Sequence, residues 1–273
     1  PQSDDPAQWL FHGHPAKAEP STVLQVAVGR LLGYTWPAEI GAEMILADSA
    51  RHWVARCGAL TEYADESGIA CLSAMRGVPS AANRLRRLLA AAFGSEWSTK
   101  KEQEFLAGAS HTKKPVASIE MWLRERFFEE HCRAFHHRPF VWHIWDGLQD
   151  GFHVLVNSHK LGGTGGEGRR TLEALAYSYL GDWITRQQAD QRDGVEGADA
   201  RLAAAQDLQR QLEDILEGEP PYDIFVRWKP LHEQAVGWDP NINDGIRLNI
   251  RPFMNAQLRS GGRKGAGILR WKP

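Results

Sequence analysis

The sequence predicts an α+β fold: a helical section, a small antiparallel sheet centred on one β-hairpin, a long helical hairpin and a basic C-terminal segment. Three observations predict it. Capped stretches of helical period fill much of the N-terminal half. "PFVWHIWDGLQDGFHVLVN" sets two β-rich runs on either side of two Asp-Gly pairs, and Asp-Gly tolerates the positive φ that tight turns demand. From Arg170 to about Glu217 the chain reads as helix again, with Gly194 and Gly197 placed to break it. At 273 residues, 42% hydrophobic and 24% charged, the chain can bury one large core or two smaller ones.

In chain order, "STVLQVAVGRLLGY" reads as an amphipathic helix capped by Ser21, with Val23, Val26, Leu31 and Leu32 on its apolar face. "SGIACLSAM" reads as a short buried strand. "VPSAANRLRRLLAAAFG" is a helix with Pro79 near its start and Gly94 just past its end. "SIEMWLRERFFEEHCRAF" is another, capped by Ser118, with Ile119, Trp122, Phe127 and Phe128 available for packing. Residues 140–145 and 152–157 form the hairpin strands, joined by a loop of about six residues. The divisions that follow are a helical connector over 1–64, a mixed α/β section over 65–170, a helical hairpin or short coiled coil over 171–218, and a basic segment over 219–273. That last segment carries the strand-like runs "YDIFVRW" and "DGIRLNI".

Composition narrows the function classes. No apolar run approaches the roughly 20 residues that a membrane-spanning helix needs. No secretory signal pattern opens the chain, so the expected location is the cytoplasm, with no membrane partner. Cys57, Cys71 and Cys132 are odd in number and form no C-x-x-C pair, which suggests neither a disulfide framework nor a thiolate zinc site. The chain opens at Pro1 without Met and stops just after "GILRW", and both ends read as cuts through a longer protein. The net charge of −2 gives no global argument for nucleic acid, but its distribution is uneven. From Asp182 to Asp223 there are 11 acidic residues against 4 basic, and from Arg227 to Pro273 there are 9 basic against 3 acidic. A basic, Gly-spaced tail can follow a phosphate backbone, although an ordinary solvated surface has the same composition.

Four short patterns suggest chemistry. Pro220-Pro221-Tyr222 matches the core of the motif with which amino-methyltransferases hold a flipped base. Here, however, Glu219 stands where Asp, Asn or Ser is needed, and a long acidic helix precedes it, so two prolines ending a helix are the simpler reading. "GTGGEG" (163–168) has the G-x-G-x-x-G spacing of a pyrophosphate cradle. Its strand is already paired in the hairpin and no compact βαβ unit follows, which favours a plain glycine-rich loop. His131, His136, His137 and His143 cluster near Cys132, but they run across a helix-to-strand boundary at spacings that suit packing better than zinc. Aromatics interleaved with cations recur in "HHRPFVWHIW", "VRWKPLH" and "RLNIRPF". Such rings either stack on bases beside phosphate-binding arginines or form a core with a charged rim.

The stretch "FFEEHCRAFHHRPFVWHIWDGLQDGFHVLVNSHKL" resembles the C-terminal region of PglX-like adenine-N6 DNA methyltransferases of BREX phage-defence systems, akin to type IIG and ISP restriction-modification methylases. In that family a helix ending in F-F-x-x-H-C leads into an R-P-hydrophobic-hydrophobic-W strand, a turn, a G-F-x-A-L-V strand and a basic segment. The matching residues are Phe127, Phe128, His131, Cys132, Arg138, Pro139, Trp142, Gly151, Phe152, Leu155 and Val156, followed by His159 and Lys160. "NDGIRLNIRPF" looks like a late element of the family, and "ADESGIACLSAM…LRRLLAAAFG" is similar to an upstream strand–helix segment.

The resemblance implies a non-catalytic part of a parent enzyme. The family's S-adenosylmethionine loop and N-P-P-Y motif lie N-terminal to this region and are absent here, so cofactor and catalysis would belong to an N-terminal methylase domain. The partner implied is double-stranded DNA, with Lys and Arg on phosphates and other side chains at base edges. Candidate contacts are Arg138, Lys160, Arg169, Arg170, Arg247, Arg251, Arg263 and Lys264. Two alternatives stand beside this one: a helical hairpin that docks another defence-system subunit without DNA contact, and a self-sufficient enzyme that uses the glycine loop.

Overall fold

The segment "VLQVAVGRL" folds as helix α1 (Val23–Leu31), with every residue buried, in the computed structural model of the protein. That structure describes residues 13–41, 45–75, 77–109, 116–135, 139–163 and 166–217, together with His232. Pro220-Pro221-Tyr222 and the two strand-like runs beyond it lie outside the described residues. The architecture is α+β, and the chain divides into two compact units, Pro1–Ala70 with Ser80–His131 and Cys71–Pro79 with Cys132–Pro273.

In the first unit α1 is buried on all sides, so its two long polar residues need partners. Gln25 donates to the Phe127 carbonyl (3.4 Å) and its own carbonyl meets His131 Nδ1 (2.9 Å). Arg30 forks onto Glu39 and donates through Nε to the Gly13 carbonyl (3.0 Å). The expected Ser21 cap is not used. Thr22 precedes the helix, and the turn over residues 19–22 already engages the Val23 N–H through the Glu19 carbonyl (3.2 Å). At the far end Tyr34 N–H bonds to Gly29 O and Gly33 N–H to Arg30 O, both 3.0 Å, with Gly33 at φ 83. This paired bonding closes a helix on a left-handed residue, a conformation that favours glycine.

Helices α2 (Pro37–Ile40) and α3 (Asp48–Gly58) follow, packing Trp36, Ala38 and Ala50 with Leu46 and Val54 in a small satellite cluster. Helix α4 (Ala81–Phe93) forms as the sequence indicates: Ser80 Oγ accepts from Asn83 N–H (3.3 Å), and Gly94 ends it at φ 55. Then come α5 (Thr99–Ala109), α6 (Ile119–Glu125) and α7 (Phe127–Ala134). Helix α1 packs against α4 and α5, and α6 against both of those. Arg86 of α4 forks onto Glu102 of α5 (both bonds 2.9 Å) and Glu120 of α6 (2.5 and 2.9 Å). One guanidinium thereby ties three helices together, its planar donors matching two carboxylates.

The single helix expected over residues 118–135 is kinked at Arg126 into α6 and α7. Residues five apart on a straight helix diverge by about 140°, yet Trp122 and Phe127 meet edge-to-face with centroids 5.4 Å apart. The kink lets both rings enter the core, where each is fully buried.

In the second unit β2 (Val141–Trp145) and β3 (His153–Asn157) pair antiparallel, with Val141 opposite Asn157 and Trp145 opposite His153. With β1 (Ile69–Cys71) the sheet order is β1-β3-β2. The hairpin loop is one residue longer than expected, because Phe152 keeps its carbonyl on the Asp146 N–H (3.2 Å) but turns its own N–H to Asp146 Oδ2 (2.7 Å). The two Asp-Gly pairs do different work. Gly147 takes φ 95, as a turn residue should. Gly151 provides space instead, since a Cβ there would overlap the Asp146 carboxylate, 2.6 Å from Cγ.

After β3 come a short helix α8 (Ser158–Leu161), α9 (Glu167–Glu173), a π turn (Ala174–Tyr179), α10 (Leu180–Arg192) and α11 (Ala198–Glu217). Leu172, Ala176, Leu180 and Ile184 recur every four residues, and all four face inward or pack in part. A spacing of four drifts off a 3.6-residue helix, and the wider π turn absorbs that drift. Gly194 and Gly197, at φ 71 and 76, reverse the chain between α10 and α11 as the sequence indicates. Gln209 of α11 donates to the Ala176 carbonyl in the π turn (3.0 Å), and Arg201 reaches Gln187 of α10 (2.6 Å) and Asp150 of the hairpin loop (2.9 Å).

Candidate nucleic-acid interface

Three of the eight candidate cations, Lys160, Arg169 and Arg170, lie among the described residues. Arg138, Arg247, Arg251, Arg263 and Lys264 lie outside them. The three are brought together by a short stretch of chain. Closure of the hairpin bonds Ser158 N–H to the Phe140 carbonyl (3.0 Å). Asn157 then caps α8, its side-chain oxygen accepting from His159 N–H (3.0 Å) and Lys160 N–H (3.1 Å). Helix α8 packs on α9, which carries Arg169 and Arg170. Lys160 is half-buried and Arg170 is exposed. Arg169 is held by Glu173 (2.8 Å), the Leu216 carbonyl (3.3 Å) and Glu217 (3.5 Å).

The glycine-rich loop closes on itself. Gly163 N–H donates to the Lys160 carbonyl (3.0 Å) and Gly168 N–H to the Gly163 carbonyl (3.1 Å). A Cβ on Gly163 would sit 2.5 Å from Glu167 Oε2, and one on Gly168 would sit 2.5 Å from the Leu161 carbonyl. These glycines permit close backbone approach, and the carboxylate of Glu167 stands where a pyrophosphate would need positive potential.

The aromatics of the hairpin block are core rather than a stacking platform: Phe140, Trp142 and Phe152 are fully buried. The histidines disperse. His131 bonds Gln25 in the first unit, where burial lowers its pKa to about 3. In the second unit His143 Nε2 lies 2.9 Å from His153 Nδ1, and His153 Nε2 lies 2.9 Å from the Leu148 carbonyl. The carbonyl can only accept, so His153 carries a proton on Nε2, and the neutral ring accepts at Nδ1 from His143 Nε2–H. In the hairpin loop the half-buried Asp146 carboxyl is held above its ordinary pKa by desolvation, partly offset by N–H donors from Phe152 and Leu148. His136 and His137 are outside the described residues, and no group of three or more His, Cys, Asp or Glu side chains gathers as a metal site among those described. Among the described residues no helix is long and apolar enough to cross a membrane.

Sequence reasoning missed the Gln25–His131 pair, Arg201 bridging to Asp150, and the three-point hold on Arg169. A local signal existed only for the last, since Arg169 and Glu173 are four apart on a helix. No protein-family model matches the chain, and no curated protein matches it.

Proposed function

We propose that the chain is the non-catalytic, DNA-clamping part of an S-adenosylmethionine-dependent adenine-N6 DNA methyltransferase of a phage-defence or restriction-modification system. The observation that carries this reading is the block from Phe127 to Lys160, whose residues resemble the C-terminal region of PglX-like enzymes. Its elements, α7, β2, the turn, β3 and the cationic α8, follow in the order the resemblance implies. Lys160 and Arg170 supply positive charge at the end of that block, and the adjoining methylase domain of the parent would hold the cofactor and the target base. The test is duplex binding by the purified chain over a salt series. Phosphate contacts give a log–log slope near −0.9 per contact, so several contacts predict a steep decline. Binding that is absent at low salt, or saturable binding of S-adenosylmethionine by this chain alone, overturns the proposal.

A second reading is favoured by the surface of the helical hairpin. Asp182, Asp193, Glu196, Asp199, Asp207 and Glu217 are exposed on α10, α11 and their turn, against exposed Arg186, Arg192 and Arg210. An acidic surface repels DNA and suits another subunit of a defence complex. On this reading a partner subunit binds the chain at low salt, whereas duplex shows no binding there.

A further inference from the structure

Arg169 and Arg170 are neighbours in sequence but not in surroundings. Arg170 is exposed, with Nη1 beside Gly166 of the loop. Arg169 bonds Glu173 on its own helix and, across the hairpin, the Leu216 carbonyl and the Glu217 carboxylate at the end of α11. The last carbonyls of a helix lack internal partners and attract cations, so this contact also caps α11. Glu173, Glu213 and Glu217 all act on the exposed Tyr177 hydroxyl, with Arg169 the one opposing charge. A phosphate arriving there would meet three carboxylates for one guanidinium.

We propose that Arg169 is a positioning residue: it clasps the first turn of α9 to the last turn of α11, and does not contact the nucleic acid. The clasp sits where the chain leaves α11 for residues 218–273, which carry Arg247, Arg251, Arg263 and Lys264. It therefore fixes Lys160 and Arg170 relative to the last turn of α11. This positional consequence rests on the DNA-clamping reading, whereas the clasp itself does not.

The test uses the whole 273-residue chain carrying Arg169→Ala, Arg169→Lys or Arg170→Ala. Three readouts are taken: amide exchange of the last turn of α11, ionisation of Tyr177 by tyrosine-labelled NMR, and duplex affinity against salt. Tyr177 already titrates above its ordinary value, through desolvation first and then the charges of Glu213, Glu217 and Glu173. Arg169→Ala speeds exchange and raises the Tyr177 pKa further. It weakens duplex binding by about threefold to tenfold without changing the salt slope, because no phosphate contact is lost. Arg169→Lys keeps the charge, restoring Tyr177 but not the exchange protection, since Lys lacks the fork. Arg170→Ala flattens the slope by about 0.9 and leaves Tyr177 unmoved. Loss of about 0.9 from the slope in Arg169→Ala, with exchange and Tyr177 unchanged, makes Arg169 a phosphate ligand and overturns the proposal. Should the unmodified chain show no salt-dependent binding, the DNA reading falls while exchange and Tyr177 still decide the clasp.

Discussion

Replacing His131 by Leu should change the acid stability of the protein in a direction and by an amount the structure sets. Burial pulls the imidazole down from 6.5 to about 3, so it is neutral in the fold at every pH above that value. The unfolded chain takes up the proton near the ordinary value. Below about pH 6.5 the unfolded state therefore binds more protons, and folding loses about 1.4 kcal/mol per pH unit from this group, down to its folded value. From about pH 7 to about pH 5 the native protein should lose about 2 kcal/mol through His131 alone. Leu at 131 cannot titrate. It also leaves the buried Gln25 carbonyl without the ring nitrogen that meets it at 2.9 Å, a cost of about 1–3 kcal/mol at any pH. Native protein should thus exceed the variant by about 2 kcal/mol near neutrality and by little near pH 5. Urea unfolding of both proteins at the two pH values, followed by far-UV circular dichroism, measures the gap. His14, lowered to about 4 by burial and then by Arg56 and Arg30, contributes equally to both proteins and cancels. A gap that is the same at both pH values would refute the argument.

Two further outcomes follow from the packing. Arg86→Ala leaves Glu102, with only 11% of its side chain exposed, without its fork, and should destabilise the protein by about 2–4 kcal/mol. It should also let the Glu120 carboxyl, now held at about 2 chiefly by Arg86, titrate in the usual carboxylate range, and NMR titration of Glu120 reads this directly. Gly151→Ala drives the Asp146 carboxylate off the Leu148 and Phe152 amides and should cost about 2–3 kcal/mol. A melting midpoint within about 1 °C of the native value would show that the loop rearranges freely.

Much of the fold was legible because its signals are local. Asp-Gly pairs between β-rich runs announced the hairpin, Pro79 and Gly94 bracketed α4, and Gly194 with Gly197 marked the reversal between α10 and α11. What escaped depends on partners far away in sequence. The kink at Arg126 brings Trp122 and Phe127 into one core, and the two rings mark a kink only once it is known that both are buried. The burial of Gln25 depends on His131, more than a hundred residues on. The candidate site was legible as a set of cations but not as roles. Composition makes Arg169 and Arg170 equivalent; Glu173, four residues on, hints at a pairing for Arg169, but its hold on the end of α11 appears only once that helix approaches.

The amide of Gln209 on the Ala176 carbonyl gives the two arms of the helical hairpin an index mark. If one arm slid by a helical turn, about 5.4 Å, the amide would miss the π turn and face a carbonyl engaged in its own ladder, while the Ala176 oxygen lost its external donor. Insertions that lengthen both arms equally near the tip should therefore be tolerated, whereas a single added residue between Arg201 and Gln209 should put this bond out of step with the Arg201–Gln187 bond.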